Sequence, residues 1–147
     1  LFSTMQNHYN LLYREDEREL IPICDQYHVA RIPYSPLAGG HLAHTGGPLD
    51  QNAARRTGHC AKNMTGQDLL IIERVDQLAQ KYGVSMTQIA LAWQYKKGVT
   101  APIVGATSVP HFDDAVKAVD FTITDEDVSY LEELYMRHKV VGALPEE

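Results

Sequence analysis

Apolar and polar positions along this chain fall into short alternating runs separated by stretches of helical period. Phe2 to Gln6 alternates and leaves through the polar run Gln6-Asn7-His8, which predicts a short strand entering a loop. From Arg14-Glu15-Asp16-Glu17 the pattern turns helical. The acids suit the positive end of a helix, and Leu20, Ile23, Cys24 and Tyr27 recur as one apolar stripe. Pro22 lies inside that stripe, so the helix is expected to kink or to begin late, with Pro22 near its first turn, and to end at His28. The run Ala30 to Tyr34 predicts a second strand. It feeds a turn opened by Pro36, which fixes one backbone angle, and closed by Gly39 and Gly40, which admit conformations shut to other residues.

Residues 41–66 carry little periodicity and several glycines, and a stretch about that long in a compact domain is expected to be a lid or a poorly ordered excursion, least ordered from Ala43 to Lys62. Thr65 with Asp68 then caps a helix whose inward face reads Leu69, Ile72, Val75, Leu78, Ala79 and Tyr82, stopped by Gly83. Ser85 and Gln88 form the capping box of the next helix, with Ile89, Ala90, Ala92 and Trp93 inward, Trp93 as a core anchor, and Lys96-Lys97 at the negative end. Thr100 to Val104 predicts a third strand, Gly105-Ala106-Thr107-Ser108 its exit, and Val109-Pro110 the start of a further helix. A last helix opens at Thr124-Asp125-Glu126-Asp127 with Val128, Leu131 and Leu134 inside, and the tail from Met136 to Glu147 has no clear period. Strands alternating with helices in this order argue for an α/β fold with parallel crossovers and three adjacent strands.

Composition narrows the partners. The 147 residues are of single-domain size, with 44% hydrophobic and 22% charged residues, as in a soluble globular domain. A formal net charge of −6 opposes nonspecific nucleic-acid binding, which needs a basic surface. No apolar run is long enough to span a bilayer, so no membrane association and a cytoplasmic location are expected. Cys24 and Cys60 carry no metal or redox spacing and read as free thiols. His41, His44, His59 and Cys60 lack the spacing and the carboxylate partner of a metal site. The first residues are strand-like and carry no initiator methionine, which suggests a chain that starts inside a fold.

Two loops offer chemistry. In a parallel α/β protein, ligands bind beyond the carboxyl ends of the strands, so the backbone N–H groups of Ser35, Leu37 and Gly39 are candidates for cradling a phosphate. The helix start after Gly105 offers further N–H groups, with His111, Asp113 and Asp114 nearby. Tyr9 and Tyr13 read as packing or substrate-loop aromatics.

Four segments in order, Met5-Gln6-Asn7-His8-Tyr9-Asn10-Leu11-Leu12, Ile32 to Gly40, Val84 to Trp93 and Pro102 to Thr107, resemble the C-terminal half of the aldo-keto reductase family. The resemblance implies a (β/α)8 (TIM) barrel of about 250 residues or more, with residues 1–147 forming its C-terminal part, strands six to eight, and apparently truncated at the N-terminus. It implies carbonyl reduction with NADP(H), or with NAD(H) as the alternative, on a small carbonyl substrate. Gln6 would bond the nicotinamide carboxamide and Tyr34 would stack on the ring. Ser35, Leu37 and Gly39 would hold the pyrophosphate, while Gly105, Ala106, Thr107, His111 and Asp114 would border the adenosine end. His111 stands where many members carry an arginine for the 2′-phosphate, and Ala115 where an adenine-contacting asparagine is common, which weakens the inference to NADP over NAD. The family's catalytic Asp, Tyr, Lys and His belong to its first four strands, so no catalytic residue is expected in this chain, which alone should be inactive. Two other readings follow from the same resemblance: an interaction protein like the potassium-channel β subunits, and a half-barrel that self-associates through its open edge.

Overall fold

The computed structural model describes residues 2–44 and 64–138. The least-ordered segment expected from Ala43 to Lys62, together with His59, Cys60 and the end of the tail, lies almost wholly outside the described residues.

Two short strands, β1 (Thr4–Met5) and β2 (Ala30–Arg31), pair in parallel, with Thr4 opposite Ala30 and Met5 opposite Arg31. The register persists beyond the strands as a parallel bridge from His8 to Tyr34, and Ala30, Ile32 and Tyr34 donate to the carbonyls of Ser3, Met5 and Asn7. The third strand expected from Thr100 to Val104 is instead an extended segment without regular ladder geometry. It still lies parallel along β2: Thr100 N–H donates to the Arg31 carbonyl at 3.0 Å and Ile103 N–H to that of Pro33 at 2.9 Å. The reason is local, since Pro33 and Pro102 have no N–H to return a bond. Three parallel segments therefore lie side by side, with β2 central. Gly98, at φ +78°, makes the turn into the third, and its missing side chain leaves room for the Arg31 guanidinium.

Helix α1 (Leu20–Tyr27) follows β1 after a 3-10 turn at Glu15–Arg18, so the helix begins late with Pro22 in its first turn, as its proline requires. His28 closes it in the left-handed region at φ 54°. The expected stripe of Leu20, Ile23, Cys24 and Tyr27 is corrected. Ile21 and Cys24 are the buried line, with Cys24 Sγ 3.5 Å from Met5 Sδ, while Leu20, Ile23 and Tyr27 are exposed. Two apolar lines one residue apart wind round an eight-residue helix, and only the one facing β1 finds cover.

Helices α2 (Gly66–Tyr82) and α3 (Met86–Lys96) carry the expected capping boxes, Thr65 with Asp68 and Ser85 with Gln88, and Gly83 ends α2 at φ 65°. On α2 the buried face is Ile71, Ile72, Val75, Leu78 and Ala79; Leu69 is exposed, one residue out of the expected phase. Helix α3 is buried from Met86 to Gln94 apart from Thr87, and Trp93 is fully enclosed. Helix α4 (Val109–Lys117) buries none of its residues: Val109, Phe112 and Val116 form an exposed line that Val119 continues. Helix α5 (Asp125–Glu132) starts at Thr124, whose side chain accepts from Asp127 N–H, and Leu131 enters the core.

The core does not sit on the strands. Tyr9, Leu11, Leu12, Ala38 and Leu42, which follow the strands, pack with α2, α3 and Leu131 of α5. Among the described residues no helix is long and apolar enough to cross a membrane.

Candidate functional site

The parallel register brings Gln6, the Tyr34–Gly40 turn and Gly105–Thr107 to the same end of the three-segment layer, beyond the carboxyl ends of the strands. The central turn is unusual in its backbone. Ser35 (φ 52°) and Ala38 (φ 48°) occupy the left-handed region without being glycine, and Gly39 and Gly40 follow at φ 68° and 103°. Non-glycine residues hold that conformation only where their surroundings impose it. The turn's internal bonds use alternate amides: Ala38 donates to Ser35 O at 3.0 Å and Gly40 to Leu37 O at 2.9 Å, with His41 and Leu42 closing behind. The amides of Ser35, Leu37 and Gly39 are not among those donors. The backbone passes from the right-handed side at Leu37 (φ −101°) to the left-handed region at Ala38, and a step of that kind is one that makes an anion-binding concavity from successive N–H groups. Burial lowers the pKa of His41, directly after the glycine pair, and so favours its neutral ring near pH 7.

An aromatic stack borders this turn. His8 lies between Tyr13 and Tyr34, with ring centroids 4.4 and 5.0 Å away and planes within 14°. Tyr34 is 42% exposed, so part of its ring faces outward at the layer's end. Gln6 is exposed and in register with Ile32, two positions before the His8–Tyr34 bridge. Gly105, Ala106, Thr107 and His111 are all exposed. Thr107 Oγ1 and His111 Nδ1 are 3.2 Å apart, and Asp114 lies 3.9 Å from Lys117. Space around Gly105 is open, since a Cβ there would touch nothing.

Behind the site lies a polar network absent from the sequence reading. Tyr9 OH donates to Glu17 at 2.6 Å, Arg14 bonds both Glu17 (2.7 Å) and Glu132 (2.9 Å), and Trp93 Nε1 donates to Glu132 at 2.8 Å. Burial and the Glu17 carboxylate push the Tyr9 phenol far above its ordinary value, so Tyr9 is a structural hydroxyl. Tyr9 and Tyr13 are both buried, in agreement with their packing role. Among the described residues no group of three or more His, Cys, Asp or Glu is placed to hold a metal ion, and Cys24 is a buried free thiol.

A model of the aldo/keto reductase family matches residues 1–136. The chain belongs to this family. It is 39% identical over 146 residues to an aldo-keto reductase of Fusarium vanettenii, NECHADRAFT_45914, covering 96% of this chain and 39% of that protein. It is 40% identical over 139 residues to versiconal hemiacetal acetate reductase of Aspergillus parasiticus, covering 92% of this chain and 40% of the relative. The fold is likewise similar to that of a thermostable aldo-keto reductase, Tm1743, solved with the inhibitor epalrestat. That match has a TM-score of 0.63 and 25% identity, over 88% of this chain and 38% of the other. This member of the aldo/keto reductase family thus spans about 40% of the length of the curated relatives it matches. Its fold is α/β and corresponds to part of the family's barrel.

For an aldo/keto reductase segment, the residues expected at the dinucleotide fall into two sets at one end of the layer. Gln6, Tyr34, Ser35, Leu37 and Gly39 share the two paired loops, whereas Gly105, Ala106, Thr107, His111 and Asp114 follow the third segment. The donor set suits a dinucleotide: backbone amides for phosphate, an exposed aromatic ring, and an amide side chain. Sequence reasoning missed Asn10 and Gln94, two buried amides behind the turn. Their signal was polarity inside otherwise apolar runs, Asn10 before Leu11-Leu12 and Gln94 after Trp93.

Proposed function

We propose that this chain is the dinucleotide-binding part of an NAD(P)H-dependent reductase acting on small carbonyl compounds. The observation that carries this reading is the Tyr34–Gly40 turn, whose left-handed residues and unengaged alternate amides stand at the carboxyl end of the parallel layer. A bound nicotinamide supplies hydride. The chain's own residues bind and orient it: Gln6 through the carboxamide, Tyr34 against the ring face, the Ser35, Leu37 and Gly39 amides at the pyrophosphate, and Gly105, Ala106 and Thr107 along the adenosine. His111 and Asp114 flank that end. No fixed guanidinium fork stands at His111, so NADP(H) and NAD(H) are both accommodated. No proton donor for the carbonyl oxygen is assigned among these residues, so on this reading these 147 residues by themselves are expected to turn over no carbonyl substrate.

Titration of the purified chain with NADPH and with NADH, followed by cofactor fluorescence, tests the reading. Saturable binding that Tyr34→Ala weakens supports it. Absence of saturation at millimolar cofactor, or aldehyde-dependent NADPH oxidation that copurifies with the chain, overturns it.

A second reading, self-association, is favoured by the exposed apolar lines of α1 and α4. Sedimentation of the chain at several concentrations tests it, and a monomer throughout excludes it.

A further inference from the structure

Resting on the dinucleotide reading above, we infer that Asn10 is a positioning residue: its side chain clamps Ser35 in the left-handed conformation and thereby sets the Ser35–Gly40 turn to receive an anion. Asn10 is 1% exposed, and every polar group it has is spoken for. Its main-chain N–H and C=O pair with Tyr13 at 3.1 Å each, and its Oδ1 accepts from Leu12 N–H at 2.9 Å. These bonds leave the side-chain NH2 aimed at the turn. One hydrogen goes to the Ser35 carbonyl at 2.9 Å, and the other faces His8 Nε2 at 3.3 Å.

The Ser35 carbonyl is the pivot of the turn. It also accepts from Ala38 N–H at 3.0 Å, so the Asn10 bond fixes the orientation of the peptide that opens the loop. Ser35 has no intrinsic preference for φ 52°, and a serine held there needs a partner that it would lose elsewhere. Through His8 the same amide reaches the stack on Tyr34, whose partner face is 5.0 Å from His8. One buried side chain therefore ties the ring platform to the phosphate cradle.

The test uses the purified chain and a glycine rescue. Asn10→Asp keeps the acceptor for Leu12 but turns a carboxylate toward the Ser35 carbonyl; Asn10→Ala removes the side chain altogether. Ser35→Gly supplies a residue that adopts positive φ without help. Amide hydrogen exchange at Ala38 and Gly40 should speed up in both Asn10 variants and return toward wild type when Ser35→Gly is added. The NADPH dissociation constant should rise roughly tenfold and recover in the same way, as a turn that is competent only about a tenth of the time dictates. Unchanged exchange at Ala38 and Gly40 in both variants overturns the clamp. Faster exchange across α2 and α3 as well, with no rescue by Ser35→Gly, also overturns it, since Asn10 would then serve the whole fold. Should the exchange pattern and its rescue hold while no form of the chain binds NADPH, the clamp stands and the dinucleotide reading fails.

Discussion

The side-chain amide of Gln94, fully buried on α3, donates to the main-chain carbonyl of Tyr9 at 2.7 Å across 85 positions of sequence. The same NH2 lies 3.5 Å from the carbonyl of Pro36, at the mouth of the left-handed turn. Helix α3 is thus fastened by one residue to both loops that leave the paired strands. Replacing Gln94 by methionine keeps the volume but leaves the Tyr9 carbonyl buried and unpaired. The expected cost is about 1–3 kcal/mol, read as a lower urea midpoint at unchanged slope; a midpoint within error of wild type would show that the bond is dispensable.

Helix starts offer an internal comparison. Thr124 accepts from Asp127 N–H at 3.1 Å, whereas Ser108, at the start of α4, makes no side-chain cap bond. Thr124→Ala should cost about 1 kcal/mol and Ser108→Ala only a few tenths. Equal losses in chemical denaturation would contradict the difference in capping.

Stability should fall at both ends of the pH scale. Burial raises the Glu17 and Asp127 carboxyls, but hydrogen bonds from Arg14 and Tyr9 to Glu17, and from Lys81, Tyr82 and Thr124 to Asp127, outweigh it and hold both below their ordinary values. Their contribution is present above the unfolded carboxylate range, near pH 4, and is lost as pH falls through the lowered folded values. Tyr9 has the opposite sign. Its phenol is raised by burial and by Glu17, so its contribution is present below about pH 10 and fades as the unfolded chain ionises above that value. Tyr9→Phe should flatten the alkaline limb of a stability profile and leave the acid limb tied to Asp127; an alkaline limb of undiminished slope would assign the loss to other tyrosines.

Cofactor preference can be tested at one position. His111 is exposed, 3.2 Å from Thr107, at the end of the site where the adenosine is proposed to lie. His111→Arg places a fixed cationic fork there and should raise the affinity for NADPH relative to NADH by roughly tenfold, most strongly at low salt. Equal gains for both cofactors would place the new charge away from the 2′-phosphate.

Much of this architecture could be read directly along the chain. Capping boxes at Thr65 and Ser85, the late start of α1 at its proline, and the enclosure of Trp93 all follow from local rules that tertiary contacts left untouched. The third strand was legible in direction but not in regularity, because Pro33 and Pro102 thin the ladder. Apolar phase was the weaker signal. Leu69 on α2 and Leu20, Ile23 and Tyr27 on α1 are as apolar as the residues that went inward, and periodicity alone cannot choose between adjacent lines on a short helix. The turn at Ser35 was legible from its proline and glycines, yet its hand was not. The left-handed serine depends on Asn10, 25 residues away, and no local propensity encodes that bond.

The two exposed apolar lines differ in composition and lie on different helices: Leu20, Ile23 and Tyr27 on α1, and Val109, Phe112 and Val116 on α4. If both lines bind, as the self-association reading proposes, the molecule is bivalent, and contacts between unlike surfaces propagate head to tail unless their rotation closes a ring. Growth of that kind has no preferred stoichiometry, so light scattering should rise smoothly with concentration instead of levelling at a dimer. A single charge on either side, Ile23→Lys or Phe112→Lys, should then cap every chain end alike and halt growth.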